Sequence, residues 1–282
     1  MRQIKTNIRF LGLVSVFLLS FTQVLTTVYC QSGNDFKWPN GAKAAFCLTY
    51  DDGFFSHINK VVPLLKRYHF KATFYPILAS SSIKLEMEKW KSLVKDGHEL
   101  GNHTVYHPCR KSDKNMEWVK DYLDLDKYTT EQILAEIDVA NTFLQALDGK
   151  KTRTFAYPCT HMYAGGLSFK DSVAHYATAA RGGFYEPPEP LNPRDIDIYN
   201  APAWGPNNNS SKELINYIKA VLEKGSFGAF IFHGIGEESM KISEEDHEEM
   251  LKFLDAHRKE IWVTTFKEAT DYLISYRQRN KQ

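Results

Sequence analysis

Two adjacent carboxylates, Asp51 and Asp52, close the apolar run Phe46-Cys47-Leu48-Thr49-Tyr50 and are followed at once by Gly53. Such a run reads as a buried strand that delivers both acids to its C-terminal end, where the glycine lets the backbone turn away. Two carboxylates side by side are costly to bury without a cation. The pair is therefore either a solvated Asp-Asp-Gly turn or a site where one Asp binds a metal and its neighbour, kept ionised by that cation, serves as a base. His103 and His107 stand four residues apart, a spacing that places both on one face of a helical turn within reach of a single cation. No glutamate lies between them, so this is not the His-Glu-x-x-His arrangement of zincins. Alone, they read equally well as two loop histidines beside Pro108. Together with an upstream aspartate they make a three-ligand set with an open position for water, as a catalytic divalent site requires. His233 follows the apolar residues Ala229-Phe230-Ile231-Phe232. It is either a structural histidine or, in a metal site that already has a base, the missing general acid. The run Phe155-Ala156-Tyr157-Pro158-Cys159-Thr160 ends at the same rim, where its backbone could donate an N–H to a developing oxyanion.

Strands alternating with helices must position these groups. After the strand that ends at Asp51, apolar periodicity predicts helices over 57–68, 85–95, 129–147, 167–175, 211–224, 243–258 and 266–277. Between them lie strands over 71–76, 98–102, 152–157, 176–181, 227–232 and 261–263, with a further short strand at 196–199. Residues 111–127 are polar and read as a surface excursion. Roughly seven strand-then-helix repeats imply a parallel α/β sheet, either a barrel or a doubly wound layer. In both architectures functional groups gather at the C-terminal ends of the strands, as they do here.

The 282 residues, 43% hydrophobic and 24% charged, suit one or two globular domains, and a net charge of +1 argues against a nucleic-acid partner. Arg2, Lys5 and Arg9 precede an apolar run from Phe10 to Leu25, which reads as a secretory signal peptide over 1–30. Residues 31–42 form a lead-in and 43–282 a catalytic domain. The mature chain is expected to be exported, at the cell surface, in a periplasm or outside the cell, without an integral membrane span. Cys30 could alternatively carry a lipid, although Tyr29 is bulky for a lipoprotein signal. Cys47, Cys109 and Cys159 then remain, and their scattered spacing supplies neither a disulfide framework nor a Cys-x-x-Cys knuckle. Cys47 reads as a small core residue, and a Cys109–Cys159 bridge stays open.

Taken together, these motifs resemble those of the NodB-type polysaccharide deacetylases, carbohydrate esterase family four. Thr49-Tyr50-Asp51-Asp52-Gly53 is similar to the family's first motif, His103-Thr104-Val105-Tyr106-His107 to its second, and Ile231-Phe232-His233 to its last. The similarity runs from about Lys43 to Tyr272. The resemblance implies an irregular (β/α) barrel of about seven strands, with Asp51 as general base and Asp52, His103 and His107 as ligands of zinc or another divalent ion such as Co2+ or Ni2+. It further implies His233 as general acid and the backbone N–H of Cys159 at the oxyanion. The substrate would be an acetylated glycan, either an N-acetyl amino-sugar polymer such as peptidoglycan or chitin oligomers, or an O-acetylated xylan. A carbohydrate-binding protein without turnover, or a hydrolase of small amides or cyclic imides, are the alternatives.

Two departures stand out. Ala156 occupies the place where the family's third motif has the arginine that orients the catalytic Asp. Arg153 is three residues early, and Arg181, at the end of the next strand, is the preferred substitute. The fourth motif is also degraded, leaving Asp195 and Asp197 as candidates for the carboxylate partner of His233 and Trp204 for an acetyl-pocket wall. Tyr199 and Trp204 are the expected sugar-stacking aromatics in a loop region, 191–209, that would shape the groove.

Overall fold

The computed structural model describes residues 36–280; the expected signal peptide and Cys30 lie outside them. Strand β1, Ala44–Asp52, is buried along its first eight positions. Burial on both faces is what a parallel sheet covered by helices demands of a central strand, and it explains the unbroken apolar run. Strand β8, Phe227–Phe232, runs beside it from Ala45 to Tyr50. Strand β2, Thr73–Pro76, pairs with its C-terminal half and β9, Ile261–Thr264, with its N-terminal half. All these pairings are parallel.

The sheet continues from β2 to β3, Glu99–Leu100. Beyond this point the pairing thins to single parallel bridges and one two-residue ladder. Asn102 bridges Phe155 of β4, Phe155–Ala156, which pairs with β7, Ala180–Arg181. Arg181 bridges Ala201, and Trp204 bridges Phe230, which returns the path to β8. The result is an irregular ring of parallel segments. Its strands are shorter than those read from sequence: past β3 the pairing thins to a single bridge at Asn102, and two residues past β4 Pro158 opens a 3-10 turn. Gly101 has no alternative, since a Cβ there would lie 2.1 Å from Cε1 of the buried Tyr75.

Helices cover the ring. A π-helical turn, His57–Val61, leads into α1, Val62–Arg67. Pro63 accounts for the widened turn, because it has no N–H to give and its ring crowds the carbonyl of Asn59. The expected helix over 85–95 is α3, Met87–Lys95, and a separate short helix α2, Ser81–Leu85, precedes it. Helix α4, Thr130–Asp148, starts with a capping box between Thr129 and Gln132 and ends at left-handed Gly149. Helices α5, Ser211–Lys224, α6, Glu244–Ala256, and α7, Phe266–Arg279, follow the expected periods closely.

Two expectations fail. Residues 167–175 are not a helix: Gly165 and Gly166, both at positive φ, turn the chain into a hairpin of β5, Tyr163–Ala164, and β6, Leu167–Ser168, before a short 3-10 turn. Residues 196–199 are not a strand, because the Asp197 carboxylate accepts from the Tyr199 N–H at 2.9 Å and curls the backbone. Among the described residues no helix is long and apolar enough to cross a membrane.

The core beneath the site is aromatic. Tyr50 lies stacked between Phe74 and Phe232, with centroids at 5.1 and 5.4 Å, and its hydroxyl meets His247 Nε2 at 2.8 Å. Burial of His247 holds its pKa down at about 3.

Replacing Gly101 with Ala is expected to cost about 1–3 kcal/mol, read from denaturant unfolding, because the Tyr75 ring has no room to retreat. The buried His247 makes stability pH-dependent. Its folded pKa lies below the unfolded value of 6.5, so the unfolded state binds the proton first, and its contribution is complete above pH 6.5 and lost as pH falls towards about 3. His247→Phe should flatten that acid limb, worth on the order of a few kcal/mol, while lowering stability at neutral pH by stranding the Tyr50 hydroxyl.

Candidate active site

Both carboxylates sit at the end of β1, but their backbones differ. Asp52 adopts φ 72° and Gly53 φ 74°, so the strand breaks into the left-handed region exactly where alternation would have sent the two side chains apart. As a result both approach one imidazole, His103 Nε2, at 3.8 Å from Asp51 Oδ2 and 3.5 Å from Asp52 Oδ1. His107 Nε2 is 3.6 Å from the same Asp52 oxygen.

The two histidines do not share a helical turn. They lie on a loop in which Thr104 and His107 have φ of 63° and 58°. Asn102 Oδ1 accepts from the Thr104 N–H and Thr104 Oγ1 from the His107 N–H, at 2.8 and 2.9 Å. These side-chain bonds satisfy the loop backbone locally in place of helical ones. The imidazoles still meet, with centroids 4.7 Å apart.

The hydrogen bonding of His103 orients the cluster. Its Nδ1 donates to the Ala156 carbonyl at 2.8 Å, so in the neutral ring the Nε2 lone pair faces Asp52. A lone pair opposite a carboxylate calls for a cation between them. Asp52 Oδ1 is accordingly buried without a hydrogen-bond partner among the described residues. Burial would raise the Asp52 pKa, but the surrounding imidazoles of His103, His107 and His233 outweigh it and hold the carboxyl well below the usual range. His103 is desolvated, which opposes its charging, yet Asp51 and Asp52 raise its pKa. Burial brings His107 down to about 4, only partly offset by Asp52, so that ring is neutral at neutral pH.

One carboxylate and two imidazoles, all within 4.8 Å of one another, fit a divalent cation. A tetrahedral ion at about 2.0–2.1 Å from its ligands sets them about 3.4 Å apart. The 3.5 and 3.6 Å separations around Asp52 Oδ1 match.

Asp51 is neutralised differently. Arg181, at the end of β7, forms an ion pair with its Oδ2, and both residues are almost fully buried. The guanidinium lies over the Tyr75 ring, 5.1 Å from its centroid. Asp51 Oδ1 is left without a partner. Arg153, the other arginine considered, turns away from the site. It binds the carbonyls of Leu100 and Lys150 at 2.8 and 2.7 Å and pairs with Asp148.

His233 follows β8 and is half-buried. Its carbonyl accepts from Nε2 of the buried His57 at 2.7 Å. The His233 Nδ1 is buried without a partner, which leaves Nε2 as the nitrogen able to meet a ligand.

Residues 39–166 match the family model described as polysaccharide deacetylase. That stretch is similar to the polysaccharide deacetylases. The match includes Asp51, Asp52, His103, His107 and Cys159 and ends before Arg181 and His233. Among curated relatives, a gellan lyase of Bacillus sp is 26% identical over 262 residues, which is 83% of this chain and 10% of that protein. The peptidoglycan-N-acetylmuramic acid deacetylase PdaA of Bacillus subtilis (strain 168) is 26% identical over 120 residues, 42% of this chain and 39% of the relative. The chain thus spans well under half the length of either. A solved Mycobacterium smegmatis structure assigned to the polysaccharide deacetylases superposes with TM-score 0.60 at 12% identity, over 86% of this chain and 94% of that one. That likeness shows the fold.

Within the matched stretch, Cys159 is joined to Cys109 by a disulfide. Spacing could not announce the bridge, because the partners lie 50 residues apart. Cys109 Sγ is also 3.5 Å from His107 Nδ1, so the bridge ties the Pro158–Thr160 turn to the histidine loop. Cys159 and Thr160 are both left-handed, with φ of 51° and 61°. The remaining candidates are placed elsewhere. Asp195 and Asp197 are exposed, and Asp197 pairs with Lys170; neither hydrogen-bonds His233, whose carboxylate partner is not found among the described residues. Tyr199 is half-buried and packed against the core, with its hydroxyl 3.4 Å from the Ala177 carbonyl. Trp204 is 2% exposed, packed on Tyr217 and Phe230 as part of the ring wall.

Sequence reasoning missed His57 and the buried Glu99, whose carboxylate accepts from Thr73 and Thr154 at 2.8 and 2.6 Å. Tyr75, under Arg181, shares a 2.7 Å bond with Thr154 and so joins this network. A glutamate one residue past His98, inside a predicted strand, was the available signal.

Replacing Arg181 with Ala should destabilise the domain by about 3–5 kcal/mol, since it leaves the Asp51 charge buried and unpaired. In denaturant unfolding the double variant Asp51→Asn/Arg181→Met should recover much of that loss; equal losses in both would sink the pairing argument.

Proposed function

We propose that this chain is a metal-dependent hydrolase that removes acetyl groups from an N-acetyl amino-sugar glycan, releasing acetate. The observation that carries the reading is the arrangement at the end of β1, where one carboxylate is paired to Arg181 and its neighbour faces two histidines. Asp52, His103 and His107 would hold the metal, and the nitrogen-rich donor set suits zinc. A divalent ion there supplies Lewis-acid polarisation and lowers the pKa of water.

The side chains then divide the proton work. Asp51, with Oδ2 held by Arg181, takes the proton of the attacking water at its unpartnered Oδ1. The Cys159 N–H would donate to the developing oxyanion. His233 delivers a proton from Nε2 to the leaving nitrogen, its backbone steadied by the bond from His57. The amide carbon–nitrogen bond breaks, water supplies the new oxygen, and the products are acetate and an amine. The named activity of the PdaA relative supports an N-acetyl glycan, and such a polymer requires export, consistent with the N-terminal signal read from sequence.

Acetate release from chitooligosaccharides and acetylated xylan, measured side by side, tests this. Asp51→Asn should lower kcat by about 10²–10⁴ with metal content unchanged. Asp52→Ala should lose metal and turnover together, and a chelator should abolish activity that zinc restores. Release from xylan alone would move the assignment to an O-acetyl esterase. Stoichiometric metal without release from either substrate would instead indicate carbohydrate binding without turnover.

A further inference from the structure

Trp204 is buried in the core and Tyr199 half-buried against it, yet the chain just after Arg181 exposes two other aromatic rings. Phe184 and Tyr185 are 51% and 64% exposed. With Pro187, Pro188 and Leu191 they line an open groove of about 500 Å³. Exposed aromatic rings gathered in one place mark binding surfaces. Here the backbone beneath them is held on both sides. Phe184 N–H donates to Ala203 O at 2.9 Å, Phe184 O accepts from Gly205 at 2.8 Å, and Tyr185 O accepts from Trp204 Nε1 at 3.0 Å. The rings are therefore presented outward by a fixed strand end, ready for a ligand at little entropic cost.

The groove begins close in the chain to the candidate active site. Phe184 lies three residues after Arg181, at most about 10 Å along the chain. A Cβ on Gly183 would stand 2.7 Å from Thr160 Cγ2, so the residue just before Phe184 packs against the Pro158–Thr160 turn that holds Cys159. Its charge narrows the occupant. The lining contains the carboxylates Glu186 and Glu189 and no basic side chain. Such a surface disfavours uronate or sulfated sugars and favours neutral rings or amines. Aromatic faces accept the apolar side of a pyranose, and they attract an ammonium group.

We propose that the Phe184–Tyr185 groove is a glycan subsite for the amino-sugar ring adjoining the one under attack, with Glu186 and Glu189 favouring neighbours that already carry a free amine. The proposal rests on the deacetylase reading and extends it to the choice of polymer.

The test is calorimetric titration of the full chain with three oligosaccharides of matched length: chitin, partly deacetylated chitosan, and an oligouronate. Acetate release is followed in parallel. Chitosan should bind most tightly and the oligouronate least. Phe184→Ala and Tyr185→Ala should each weaken oligomer binding by about 2- to 10-fold at an unchanged unfolding midpoint. Tyr185→Phe should retain affinity, and Glu186→Gln/Glu189→Gln should erase the preference for the amine form. Wild-type affinity in both alanine variants, or an oligouronate bound as tightly as chitosan, would overturn the subsite. Ring-dependent binding without any acetate release would leave the groove standing and remove the deacetylase reading. Acetate release indifferent to chain length and to both rings would do the opposite.

Discussion

Two negative charges on consecutive residues of a buried strand impose the constraint that the rest of the rim answers. Each must be neutralised in a confined space, because desolvated like charges at this distance cannot both persist. The fold divides the task. Arg181 arrives from β7 to pair with Asp51, while the histidine loop after β3 brings two imidazoles to Asp52. The two solutions meet at His103, whose Nε2 faces both acids. The irregularity of the ring follows: β3, β4 and β7 are only two residues long, so the chain can bend early and turn side chains inward.

The backbone carries part of the cost. Asp52, Thr104, His107, Cys159 and Thr160 all occupy the left-handed region without being glycine. Conformations of this kind are stored where surrounding structure over-determines them, commonly at functional sites. The determinants can be named here: Asn102 and Thr104 fix the histidine loop through side-chain bonds, and Ala156 fixes the His103 ring.

Much of this was legible beforehand, for identifiable reasons. Helices α5, α6 and α7 and strand β8 announce themselves because a strong period coincides with clear caps. The paired acids and histidines were visible because reactive residues at strand ends are rare in type and ordered in sequence. Arg181 could be picked because it ends a predicted strand, and the structure sets it on Asp51. The hairpin at Gly165–Gly166 was missed because its flanks share apolar residues with a helical pattern. Tyr199 and Trp204 misled because residue type says nothing about which side of a loop faces water; their rings are packed while Phe184 and Tyr185 are not. The Cys109–Cys159 bridge could be left only as an open possibility, since its partners come from different crossovers and their spacing forms no framework.

That bridge has a consequence for the unfolded chain. Cys109 and Cys159 close a loop spanning 50 residues, and in the chain-entropy account such a closure removes about 4 kcal/mol of freedom from the denatured ensemble. The histidine loop and the Pro158–Thr160 turn therefore remain neighbours even when all tertiary packing is gone. The part of the molecule with the most strained backbone is the part with the least disorder to surrender.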